Sequence, residues 1–195
     1  VNIKKSFTDT WKEKEIRQAL AYALPKLGDE EKAHSPISPL SWAYSQKIRL
    51  YNEDLDAATK ILSKSELATS SNQITISTYA PFLDLAEKIA DSWSKAGIFV
   101  KVKVENSLQP DFQVALIAQS IPADPDQYQY WQSTQEDTNK TNFSNQKIDK
   151  LLEDGRRSLD QDTRKKIYAD FQRYLVDDAP VLFLFYPRVY QVERK

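Results

Sequence analysis

Apolar and polar residues alternate strictly in two stretches of this chain. In residues 73–79, Ile74 and Ile76 face one way and Thr75 and Ser77 the other, the pattern of a half-buried strand. Residues 98–104 repeat it, with Ile98, Val100, Val102 and Val104 set against Lys101 and Lys103. Between them Phe82, Leu85, Ala86, Ile89, Ala90 and Trp93 recur at helical spacing behind Pro81, and Gly97 closes that helix as a left-handed cap. Strand, helix and strand make a βαβ unit, which predicts parallel neighbouring strands joined by a right-handed crossover.

The same periodicity predicts helices on either side of this unit. Ile16, Ala19, Leu20, Ala23 and Leu24 mark one over residues 14–24, with Thr8 or Asp9 at its start and Pro25 ending it. Ala58, Ile61 and Leu62 mark another over 52–65, capped by Asn52 or Asp54. Ile148, Leu151 and Leu152 face inward in 147–158, and Ile167, Phe171, Tyr174 and Leu175 in 160–176, which Asp160 or Asp162 begins. Residues 111–119 read as a further strand. Residues 181–186 are apolar on both faces and read as a central strand covered on both sides. Residues 132–145 are polar and rich in Asn and Thr, the composition of an exposed loop. Residues 26–52 form a long connection, with Trp42, Tyr44 and Tyr51 to pin it to the sheet edge or to wall a cleft. The sum is α/β: a mixed β-sheet of about four to six strands flanked by helices on both faces.

Composition narrows the chemistry. The 195 residues suffice for a single domain with its own core, and the net charge of -1 gives no basic field for nucleic acid. There is no cysteine, so thiolate metal sites and disulfides are excluded, and no stretch approaches the roughly 20 apolar residues of a membrane span. The three glycines, Gly28, Gly97 and Gly155, are too far apart for a phosphate-cradling loop. His34 is the one histidine, and it lies in a proline-rich loop, a poor setting for a triad or a metal site. No cofactor, no metal and no catalytic residues are expected.

The densest candidate is the run from Ile121 to Trp131. Asp124 and Asp126 flank Pro125, and Tyr128, Tyr130 and Trp131 follow. An acidic turn beside aromatic walls at a strand end suits a cationic group such as an amine. The plainer reading makes Asp124 a helix N-cap with Pro125 at the first helical position.

In order along the chain, residues 16–23 (IRQALAYA), 36–39 (PISP), 57–62 (AATKIL), 86–90 (AEKIA), 97–98 (GI), 123–126 (ADPD), 145–152 (NQKIDKLL), 164–168 (RKKIY) and 178–181 (DAPV) form a colinear set. Over about residues 14–186 this set resembles the C-terminal lobe of bacterial extracellular solute-binding proteins of family 5, the peptide and nickel type. The resemblance implies one lobe of a periplasmic-binding-protein type II, or Venus-flytrap, receptor that captures peptides for an ABC importer. Residues 1–195 would be that single lobe, with 1–10 arriving from the other lobe as a strand or linker and 188–195 starting the return. An extracytoplasmic monomer is implied, anchored outside this chain and working with a transporter permease. In peptide-binding members an aspartate after this strand pairs with the ligand α-amino group, a role that falls on Asp124. Those receptors carry an aromatic directly after the aspartate. Here Pro125 and Asp126 follow, which opens Asp126 as the alternative contact. The same fold holding a sugar, a metal chelate or a signal molecule is the first competing reading, and a hydrolase using Asp124 and Asp126 the second.

Overall fold

The computed structural model describes residues 2–3, 13–28, 31–68 and 72–187. A four-stranded sheet of order β1-β4-β2-β3 lies at its centre. Its strands are β1 (Asn2–Ile3), β2 (Ile74–Thr78), β3 (Val100–Val104) and β4 (Val114–Leu116). β2 and β3 are parallel neighbours, with Ile74 opposite Val100 and Thr78 opposite Val104, and α3 (Leu83–Lys95) joins them as expected. β4 runs parallel along the other side of β2, while β1 meets β4 antiparallel, so the sheet is mixed. Beyond Asn2 and Ile3, the expected N-terminal linker and the caps Thr8 and Asp9 lie outside the described residues, as does 188–195.

Local chemistry sets the element ends. Asp54 caps α2 (Leu55–Leu62) by accepting from the Ala57 N–H at 2.9 Å. Asn145 caps α5 (Gln146–Arg157), and Asp160 caps α6 (Gln161–Asp178) through the Thr163 N–H at 2.8 Å. α1 (Lys14–Tyr22) stops just short of Pro25. Gly97, at φ +91°, supplies the left-handed residue after α3.

Two packing centres follow. Around the sheet, Ile74, Ile76 and Val114 meet Ile89 and Trp93 of α3 and Leu20 of α1, and Trp93 donates its indole N–H to the Leu20 carbonyl at 3.1 Å. Away from it, Ile148 and Leu152 of α5 pack on Tyr168, Phe171 and Leu175 of α6. Gly155 makes this close approach feasible, because a Cβ there would sit 2.9 Å from the Tyr168 ring.

Several expectations need correction. β2 is not half-buried: Ser77 and Thr78 are buried too, with Thr78 donating its hydroxyl to the Leu116 carbonyl at 3.0 Å. β2 is a central strand between β4 and β3, and Ser77 on its second face is covered as well. Residues 111–119 yield a strand of three residues, because the chain leaves the ladder after Leu116. Residues 181–186 form no central strand. They run extended beside residues 31–33, held by Ala33 N–H to Leu184 O at 3.1 Å and Tyr186 N–H to Glu31 O at 2.9 Å. Their two apolar faces serve the two packing centres instead: Leu182 is buried in the first, and Val181 and Phe183 border the second. The 132–145 loop is not simply exposed, since Gln132, Asn139 and Thr141 are buried and hydrogen-bonded within it. In α6, Tyr168 and Gln172 are buried while Ile167 and Tyr174 are half-buried. The long 31–52 connection is pinned to α6 rather than to a sheet edge, by Gln172 and by the Tyr51 hydroxyl donating to Val176 O at 3.0 Å.

Candidate functional site

A cavity of about 170 Å³ opens where the parallel strands β2 and β4 end. Phe82 and Leu85 at the start of α3 form one wall, and residues 117–121, leaving β4, form the next. Ala33, Ser35, Pro36 and the extended 181–187 segment complete it. Trp131, at the end of the short helix α4 (Tyr128–Trp131), closes the bottom together with Gln127. Strand ends of open α/β sheets are where ligands generally bind, since the loops that leave them diverge.

The lining is uncharged: among the described residues it contains no Asp, Glu, Lys, Arg or His. Its polarity comes from Ser35, Gln119, Ser120, Gln127 and Tyr186. Gln127 is 2% exposed and accepts from the Trp131 indole N–H at 3.4 Å, but its Nε2 has no hydrogen-bond partner among the described residues. The Tyr186 hydroxyl is likewise buried without one. Burial, then the neighbouring Tyr44 and Glu31, push the Tyr186 phenol up to about 12.

The acidic turn lies beside this cavity and faces elsewhere. Asp124 accepts from the Asp126 N–H at 2.9 Å, and Asp126 accepts from the Tyr128 N–H at 3.0 Å, so two side chains lock the turn in succession. Each carboxylate also holds an arginine. Arg164 of α6 reaches Asp124 with both terminal nitrogens, at 2.9 and 3.4 Å, and Arg156 of α5 reaches Asp126 at 2.7 Å. The Arg156 guanidinium also sits over the Tyr128 ring, 4.0 Å from its centre. Burial alone would raise the Asp124 carboxyl. The Arg164 hydrogen bond, the Asp126 N–H and the arginine's charge outweigh it and hold the group below the usual carboxylate range.

Of the residues singled out from the sequence, Trp131 lines the cavity. Asp124 and Asp126 do not reach it; they tie the turn to α5 and α6. Tyr128 lies under Arg156, and Tyr130 borders the α5–α6 packing centre. Asp124 is not a helix N-cap, because α4 starts four residues later at Tyr128, behind Gln127. Periodicity missed Gln127, Phe82 and Leu85 as site residues. The one available signal was the run 181–186, whose apolar faces exceed what one core can cover. Among the described residues no group of three or more His, Cys, Asp or Glu is placed to hold a metal ion, and no helix is long and apolar enough to cross a membrane.

The family model for bacterial extracellular solute-binding proteins, family 5 Middle, matches residues 1–141. The chain belongs to that family. The oligopeptide-binding protein AppA of Bacillus subtilis is 30% identical over 92% of this chain and 39% of its own length. The solved structure of that AppA with a nonapeptide superimposes with a TM-score of 0.84 at 25% identity, over 95% of this chain and 44% of that one. NikZ of Campylobacter jejuni, in complex with Ni(L-His), gives 0.81 at 24% identity over 94% and 45%, a likeness of fold alone. The chain thus spans about two fifths of the length of the curated relative it matches.

Proposed function

We propose that this chain is the ligand-facing lobe of a receptor that captures peptides outside the cytoplasm and delivers them to an ABC importer's permease. It acts by binding and carries out no reaction. The observation behind this reading is the cavity at the ends of β2 and β4, in a chain whose relatives include an oligopeptide-binding protein. In the intact receptor a second lobe would close over the cavity, and an anchor outside this chain would hold the monomer at the membrane. Mass spectrometry of small molecules released from the purified two-lobed receptor tests the reading. Peptides are expected; a nickel chelate or a sugar instead would move the cargo to the competing class.

Two roles for Asp124 follow from different supports. The resemblance gives it the ligand α-ammonium. The pair with Arg164 supports a second role, in which Asp124 holds the turn that frames the cavity. Asp124→Asn separates them in the two-lobed receptor. Loss of an amine anchor would weaken free-amine peptides by tens- to thousands-fold, about 2–5 kcal/mol, and spare N-acetylated ones. A turn-holding Asp124 predicts the same small change, within about threefold, for both. We favour the second outcome, because the carboxylate already has its cation.

A further inference from the structure

The cavity has the size of one ring and no charge on its walls. Its volume is about 170 Å³. Cavities of about 150 Å³ lined by aliphatic and aromatic side chains take up benzene. It is open to solvent on one side, through Ala118, Gln119 and Ser120, which are exposed, and Ile121, which is 38% exposed. Asp124 and Asp126, in the turn beside it, do not line it and are paired with Arg164 and Arg156.

We propose that this cavity is a subsite for one neutral, ring-sized apolar side chain of the captured ligand, and that it rejects a cationic one. An aromatic or branched aliphatic group would cover Leu85, Leu116 and Trp131 and release the water over them, which stabilises the bound state in proportion to apolar area. An ammonium or guanidinium in the same place would lose its hydration and find no anion, because the lining offers none. The arginines of α5 and α6 thus act on selectivity indirectly. By occupying both carboxylates of the turn, they keep these two from serving as counter-ions for a ligand amine in the neighbouring cavity.

This rests on the peptide-capture reading, and the experiment separates the two. Saturation-transfer NMR is run on the 195-residue chain with three probes: Ala-Phe-Ala amide, Ala-Lys-Ala amide and benzyl alcohol. Strong saturation of the Phe ring is expected, with affinity at least about tenfold above that of the Lys peptide. Ala118→Trp, which places an indole in the open mouth, should lower Phe-peptide binding at least about tenfold; Ser120→Trp serves if that variant does not melt cooperatively. Equal binding of the two tripeptides, unaffected by the tryptophan, overturns the subsite and leaves peptide capture standing. Benzyl alcohol that binds and is blocked by the tryptophan, with neither tripeptide binding, supports the cavity and overturns peptide capture. No saturation of any probe overturns the subsite.

Discussion

The Gln172 amide uses its full hydrogen-bonding capacity. Its oxygen accepts from the Ser35 hydroxyl at 3.0 Å and the Ser45 N–H at 3.2 Å, and its nitrogen donates to the Ala43 and Tyr168 carbonyls, both at 2.9 Å. The residue is 0% exposed. One side chain thereby fastens the long connection before α2 to the middle of α6, and with it the cavity wall at Ala33, Ser35 and Pro36. Gln172→Leu keeps the volume and strips the partners. Each group left unsatisfied costs about 1–3 kcal/mol, so a loss of roughly 2–4 kcal/mol is expected in urea unfolding. A change under about 0.5 kcal/mol would contradict the account. Periodicity gave no hint of this, because a polar residue beside Phe171 reads as surface. Asp124 makes a prediction of the opposite kind. Its folded pKa is depressed, so its pair with Arg164 adds stability above the unfolded carboxylate value and loses it as pH falls through the lower folded value. The melting temperature of the parent should therefore fall more steeply than that of Asp124→Asn once pH drops below about 4, with the two nearly parallel above it.

At the scale of elements, the sequence was most legible where one residue dictates the backbone. Pro81 before α3 and Gly97 after it lie where the sequence places them, and Asp54 and Asp160, each one of two candidates, cap α2 and α6; the sequence pattern does not single out the Asn145 cap of α5. It was least legible where burial depends on a distant partner. The polar face of β2 is covered, and residues 181–186 leave the sheet for the cavity wall, and no local pattern encodes either. The two structural glycines test what the helices require. Gly97→Ala meets nothing within 4 Å, so its penalty is the left-handed backbone alone, about 1–2 kcal/mol. Gly155→Ala should gain up to about 1 kcal/mol in helix propensity but lose more, about 1–3 kcal/mol, by pressing on Tyr168 in a core that cannot yield. The Tyr168 hydroxyl makes no hydrogen bond of good geometry among the described residues, although the Arg164 guanidinium lies against the ring, so removing it costs less than the overlap it relieves. Tyr168→Phe should thus recover part of the Gly155→Ala loss and none of the Gly97→Ala loss, measured as melting temperatures of the double variants.

The whole molecule depends on how its two packing centres are joined, and the C-terminal end of α6 carries much of that joint. The last carbonyls of a helix lack partners within it. Here α1 and the long connection supply them from the side of the sheet. Arg17 donates to the Asp178 carbonyl at 2.9 and 2.7 Å, Gln18 to the Asp177 carbonyl at 2.7 Å, and Tyr51 to Val176. Lys14 and Arg49 add charge beside the Asp177 carboxylate, where the helix dipole also favours a cation. Burial lowers the pKa of the Arg17 guanidinium, chiefly against the pull of Asp178, and the contact is half-buried. If the joint is what couples the centres, Arg17→Ala should uncouple them. In the parent, the slowest amides of β2 and of α6 are expected to exchange hydrogen through one common opening. In Arg17→Ala, the α6 amides should lose about 1–3 kcal/mol of protection while those of β2 hold within about 0.5 kcal/mol. Equal losses in both would mean that the sheet and the α5–α6 pair open as one unit, with the α6 end contributing no separate step. The cavity lies between the same two centres, with Leu116 from one and Trp131 from the other. An uncoupled variant should therefore also bind the Phe-containing tripeptide less well than the parent, although residue 17 does not line the cavity.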